Sequence, residues 1–253
     1  MLRSSRLSCK MYYMVNRRKV LTVVCFFSVL LLLGTIFYTQ TYYHADQAAV
    51  DSLSSDEKVK VSKTDYGWLF DGPSSESAFV FYPGGKVEEE AYAPLLHSLA
   101  SEGVDVMLVS MPARLAILNS DGAEAVMSEY EYDHWYIGGH SLRGAASALY
   151  ASKNEEKFDG IILLGSYSTK TLAGMRALFI YGSEDRVMDM EKFINSLANV
   201  PANAEEFVIE GGNHAQFGMY GAQKGDGEAY ITGEEQIEIT VDLIVSFVQE
   251  GQQ

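Results

Sequence analysis

Hydrophobic and polar positions alternate along this chain in two different regimes. From Val20 to Thr39 no residue is charged, and Val, Leu, Phe and Ile dominate over a length close to the roughly 20 residues that a bilayer-crossing helix needs. Beyond position 57 the apolar runs are short and punctuated. Val59 to Phe70 alternates loosely and stops at Asp71-Gly72-Pro73, which predicts a strand or hairpin at a sheet edge. Compact apolar runs at Ser77 to Tyr82, Val104 to Met111, the Trp135 segment, Phe158 to Leu164, Arg176 to Tyr181 and Glu205 to Ile209 predict further strands, mostly of the buried kind. Between them, Tyr92, Leu95, Leu96 and Leu99 recur at helical spacing behind the acids Glu88 to Glu90, which favour a helix N-terminus. Ala123 to Tyr130, the small-residue stretch Gly144 to Ala148 and Met190 to Leu197 predict three more helices. The last helix opens with a capping box, Thr232 with Glu235, and aligns Ile237, Val241, Ile244, Val245 and Val248 on one face. Strands alternating with helices predict an α/β domain, a mostly parallel sheet covered by helices on both faces.

Charge separates the two regimes further. Six of the 19 basic residues and none of the 34 acidic ones precede position 41, so the rest of the chain sets 13 bases against 34 acids, a formal −21. Such a surface repels nucleic acid and excludes it as a partner. The basic cluster ahead of the apolar run places residues 1–19 in the cytoplasm and the acidic domain outside it. A cleaved signal peptide has an apolar core of only about 7 to 15 residues. Thr39 to Val50 also lacks a small-x-small cleavage site, so the run reads as a transmembrane anchor over 20–39. Tyr38, Tyr42 and Tyr43 would then lie at the outer interface, residues 40–57 would form a tether, and 58–253 the domain. Cys9 and Cys25 both precede the domain, which therefore has no disulfide and no cysteine-ligated metal.

The chemistry is concentrated where a strand meets a helix, in His134-Trp135-Tyr136-Ile137-Gly138-Gly139-His140-Ser141-Leu142-Arg143-Gly144. A serine at such a corner takes a strained backbone that lifts its hydroxyl off the sheet and aims the next amide, that of Leu142, at an oxyanion. The corner tolerates only small residues two positions away on either side. Gly139 satisfies this, but position 143 is Arg and the next glycine comes one place late, at Gly144.

Partners for Ser141 should lie at the carboxyl ends of other strands. Of five histidines, His44 falls in the tether, His97 in a helix, and His134 at the far end of the serine's own strand. His140 should face away by strand alternation, which leaves His214 in Glu210-Gly211-Gly212-Asn213-His214 as the base. Asp185 is the candidate acid, with Glu184 and Asp189 as competitors. A second oxyanion donor is sought in Pro83-Gly84-Gly85-Lys86, at Gly85 or alternatively at Lys86.

With these residues in place the chain resembles the α/β-hydrolase fold family, and within it the small, lidless bacterial branch related to dienelactone hydrolases. The likeness spans about Lys60 to Phe247. It rests on Phe81-Tyr82-Pro83-Gly84-Gly85-Lys86-Val87, Gly139-His140-Ser141-Leu142, Tyr181-Gly182-Ser183-Glu184-Asp185 and, most specifically, Gly211-Gly212-Asn213-His214-Ala215-Gln216-Phe217-Gly218. The resemblance implies Ser141 as nucleophile, Asp185 as acid, His214 as base, and the Leu142 and Gly85 amides as oxyanion donors. It also implies hydrolysis of an ester or related acyl compound without a cofactor. Two positions depart from the family: Arg143 and Arg186 stand where it has glycine. Arg143 would either splay the helix from the strand or snorkel to solvent. The expectation is thus a membrane-anchored, extracytoplasmic serine hydrolase taking a small acyl or ester substrate, bound to the lipid bilayer through its N-terminal helix. The alternative is a catalytically silent binding domain on the same fold.

Overall fold

The computed structural model describes residues 17, 19–34, 41–73, 76–110 and 122–252. The chain divides into two units, Met1–Tyr42 and Tyr43–Gln253. In the first, residues 19–34 are helical and the large apolar side chains from Val20 to Leu33 are exposed. Among the described residues no helix is long and apolar enough to cross a membrane. The structure therefore does not supply the transmembrane helix expected over 20–39: 20–34 is helical, and 35–39 lies outside the described residues.

The second unit is built on an eight-stranded sheet ordered β1-β2-β4-β3-β5-β6-β7-β8. Its strands are β1 (Lys60–Thr64), β2 (Gly67–Asp71), β3 (Ser77–Tyr82), β4 (Asp105–Val109), β5 (His134–His140), β6 (Gly160–Leu164), β7 (Arg176–Gly182) and β8 (Glu205–Ile209). The hairpin β1–β2 joins β4 antiparallel, and every other pairing is parallel. Strands β3 to β7 read as continuous apolar runs because helices cover both of their faces, leaving no side for polar alternation.

Two cores result. One lies under α2 (Ala93–Ser101) and the long α6 (Gly233–Gly251), where Leu95, Leu99, Ile244 and Phe247 meet Phe79, Phe81 and Tyr136 from the sheet. The other lies under α3 (Gly122–Met127), α4 (Ser141–Ala151) and α5 (Met190–Ser196), where Val126, Ala148, Ala151 and Phe193 meet Val80, Ile137 and Phe179. Each fully buried Leu, Ile or Phe contributes about 1.5–3 kcal/mol, so the helices are held chiefly by these contacts. The expected capping box at Thr232 and Glu235 is formed in both directions and fixes where α6 begins.

From Tyr43 onward, the stretch expected to be a tether is instead part of the domain unit and packs onto it. Tyr43 forms a parallel bridge with Val87, giving its N–H to the Lys86 carbonyl (2.8 Å) and accepting the Glu88 N–H (2.9 Å). The Asp46 amide binds the Met219 carbonyl, and the short helix α1 (Gln47–Asp51) buries Ala49 completely. The parallel register aligns Tyr82 with Gly139 and His140 with Leu164. As a result, the loops after β3, β5 and β6 emerge along one edge of the sheet.

Candidate active site

At that edge, strand β5 runs straight into α4 with no linker, and the chain makes the turn at Ser141 itself. Ser141 has φ +56°, a left-handed conformation that costs a non-glycine residue on the order of 1–3 kcal/mol. The close approach of helix to strand is met at Gly144: a Cβ there would lie 2.6 Å from the Gly139 carbonyl and 2.7 Å from Ser166 Oγ. The late glycine of the sequence is thus the one that the packing needs. Arg143, one position earlier, neither splays the corner nor snorkels outward. It is 1% exposed, the largest fully buried side chain of the domain, and its guanidinium donates to the Pro83 carbonyl at 3.2 Å.

The corner presents Ser141 Oγ to His214 Nε2 at 2.9 Å, and His214 Nδ1 meets Asp185 Oδ2 at 2.7 Å. Asp185 follows β7 and is nearly buried. Its other oxygen accepts the amides of Val187 and Met188, each at 2.8 Å, which fixes the carboxylate's orientation. The competing acids are engaged otherwise: Asp189 borders the same cleft but caps α5 through the Lys192 amide, and Glu184 pairs with Arg186. Arg186, the second departure from the family pattern, therefore faces solvent and leaves the site untouched.

His214 is held by its neighbours along the chain. Gln236, fully buried in α6, accepts the Asn213 N–H and donates to the Asn213 carbonyl, both at 2.9 Å. Asp226 accepts the Ala215 amide at 2.8 Å and the Arg186 amide at 3.3 Å, tying the base loop to the acid turn. Neither residue follows from periodicity, because both act on backbone across loops.

On the other side of Ser141 the loop after β3 brings Gly85 against Leu142: a Cβ at Gly85 would touch Leu142 Cβ and Cδ2 at 3.8 Å. The two expected oxyanion donors are therefore neighbours. Lys86, the alternative, has φ +60° and its carbonyl is engaged by Tyr43. A cleft of about 270 Å³ opens beside Ser141, between α4 and the loops after β6 and β7, lined by Ser141, Leu142, Ala145, Tyr167, Val187 and His214, among others.

Of the remaining histidines, His44 pairs with Glu88, His97 with Asp56, and His134 with Asp159, all away from Ser141. His140 takes the face that strand alternation expects, with Tyr92 and Phe217, yet it still meets His214. It is buried, its ring lies 4.4 Å from that of His214, and its Nδ1 meets the Tyr92 hydroxyl at 2.7 Å. Burial, and secondarily the facing His214, push its pKa well below the usual histidine value, so it stays neutral beside the base. Tyr92 is pushed upward by burial and keeps its proton.

This fold and this corner define a class, and sequence comparison agrees. The chain belongs to the α/β hydrolase family, whose profile matches residues 78–238. No curated protein matches it. Among solved structures it is similar to a dienelactone hydrolase from Anabaena variabilis (12% identity, 77% of this chain and 99% of that one, TM-score 0.54). It is likewise similar to Est1E from Butyrivibrio proteoclasticus (12%, 77% and 99%, 0.54) and to carboxylesterase CesB from Bacillus subtilis (9%, 85% and 98%, 0.53). At these identities the likeness is one of fold.

Proposed function

We propose that the domain is a serine hydrolase of carboxylesterase type, with Ser141, His214 and Asp185 as its triad. The reading rests on one observation, the hydrogen-bonded relay from Asp185 through His214 to a serine held in a strained turn. In the reaction, Ser141 Oγ attacks the ester carbonyl carbon as its proton passes to His214 Nε2. The carbonyl oxygen becomes an oxyanion facing the Leu142 and Gly85 amides. Asp185 accepts the Nδ1–H and stabilises the imidazolium. Collapse expels the alcohol, which takes the proton from Nε2, and leaves an acyl-serine. Water then repeats the sequence, and the free acid departs.

The cleft, at about 270 Å³, lies just below the range of about 300–1,000 Å³ usual for drug-sized ligands, which favours short acyl groups. The acidic domain favours neutral or cationic over anionic substrates. The exposed apolar run from Val20 to Leu33, preceded in sequence by a basic cluster, supports anchorage to a membrane with the domain outside the cytoplasm.

Hydrolysis of p-nitrophenyl acetate is the test. The parent protein should turn it over faster than a long-chain ester, and Ser141→Ala should remove at least about 10⁴-fold of kcat. Equal rates for parent and Ser141→Ala would sink the proposal. The silent-domain reading took its support from Arg143, and the buried side chain leaves the serine within 2.9 Å of its base.

A further inference from the structure

We infer that Arg143 and Tyr92 are positioning residues that jointly clamp the Pro83–Gly84 peptide and so aim the Gly85 amide at the oxyanion. The inference rests on the proposed hydrolase reading for its chemistry, but its geometry stands apart from it. The Pro83 carbonyl and the Gly84 N–H belong to one peptide plane. Arg143 Nη1 donates to that carbonyl at 3.2 Å, and the Gly84 N–H donates to the Tyr92 hydroxyl at 3.0 Å. Both polar groups of a single peptide are thus gripped, one from the nucleophile's own helix α4, the other from the turn ahead of α2.

The Tyr92 hydroxyl, having accepted the Gly84 N–H, donates its own O–H to His140 Nδ1, and the His140 ring lies against His214. Gly84 is required for this grip. A Cβ at that position would fall 2.3 Å from the Tyr92 hydroxyl and 2.7 Å from His140 Nδ1. The loop's other end is fixed as well, where Tyr43 binds the Lys86 carbonyl and the Glu88 amide. Between these two fixed points lies Gly85, beside Leu142.

Two consecutive glycines have little conformational preference of their own, so an amide carried by Gly85 needs external restraint to point in one direction. Oxyanion donors work by being oriented before the charge develops. A guanidinium is costly to bury unless its donors are used, and here Nη1 is engaged by this peptide's carbonyl. Arg143 thus replaces a family glycine with a restraint on the oxyanion loop, and the elbow is not damaged by it.

The test uses the full-length chain in detergent, comparing parent, Ser141→Ala, Arg143→Gly and Tyr92→Phe. For both positioning variants kcat on p-nitrophenyl acetate should fall about ten- to hundred-fold while KM stays within about threefold, because the restraint acts on the transition state. Hydrogen exchange at the Gly84 and Gly85 amides, read by mass spectrometry on peptides spanning 82–88, should speed up in both. Tyr92→Phe keeps the ring and removes only the hydroxyl, so it carries the test if Arg143→Gly fails to fold. A folded Arg143→Gly with kcat equal to or above the parent would overturn the inference, as would unchanged amide exchange in the two variants. Hydrolysis surviving in Ser141→Ala would refute the hydrolase reading, while the exchange data would still decide the clamp.

Discussion

Two loops converge on Ser141, and they are held in contrasting ways. The base loop is fixed redundantly: Gln236 binds both backbone groups of Asn213, Asp226 binds Ala215, and Asp185 takes two amides besides the His214 imidazole. On the oxyanion side the Pro83–Gly84 peptide depends on one contact to each of its polar groups, from Arg143 and from Tyr92. Redundancy means that losing one bond on the base side is absorbed by its neighbours. On the oxyanion side a single substitution should be felt directly in kcat.

The sharpest break in the comparison comes from the one base-side contact with no substitute, the carboxylate that orients the imidazole. Asp185→Asn should lower kcat by about 10⁴-fold with little change in KM, since the amide can stabilise neither the required tautomer nor the imidazolium. Steady-state kinetics on p-nitrophenyl acetate check this, and a loss of under tenfold would mean that His214 does not act through Asp185.

A smaller effect should appear in stability against pH. His140 is pushed below its usual pKa in the folded chain, whereas the unfolded chain binds its proton near pH 6.5. As pH falls below about 6.5, the unfolded state gains a proton that the native state does not. Stability should therefore decline with a slope approaching about 1.4 kcal/mol per pH unit from this group, and be unaffected by it at higher pH. Urea unfolding at pH 5, 6, 7 and 8 measures the slope, and His140→Gln should flatten it. An equally steep slope in the variant would assign the decline to other groups. At the small end, Arg186→Ala should change neither activity nor stability by more than about 0.5 kcal/mol, because its side chain is largely solvent-exposed and pairs with Glu184 from the solvent side. A measurable loss of kcat would place Arg186 in the site after all.

Much of the site was legible because its members sit where strands end. Ser141 and Asp185 follow buried apolar strands, His214 follows the largely exposed edge strand β8, and the glycines beside them mark turns. The environment of those residues was less legible. Strand alternation rightly put His140 on the face of Tyr92 and Phe217, but it could not show that the His214 loop folds over that face and brings the two imidazoles together. The route of Arg143 was hidden because a side chain's direction from a corner is set by what it can reach there, here the Pro83 carbonyl. Residues 43–51 read as a tether because they dock through backbone hydrogen bonds and scattered side chains, Tyr43 on Tyr220 and the buried Ala49, which leave no periodic signal.

The central claim, that Ser141 is an activated nucleophile, is tested most directly by incubating the full-length chain with a fluorophosphonate and locating the adduct by mass spectrometry. The expected result is a single adduct on Ser141 in the parent, abolished by His214→Ala. A folded parent that remains unlabelled, or labelling that persists unchanged in His214→Ala, would contradict it.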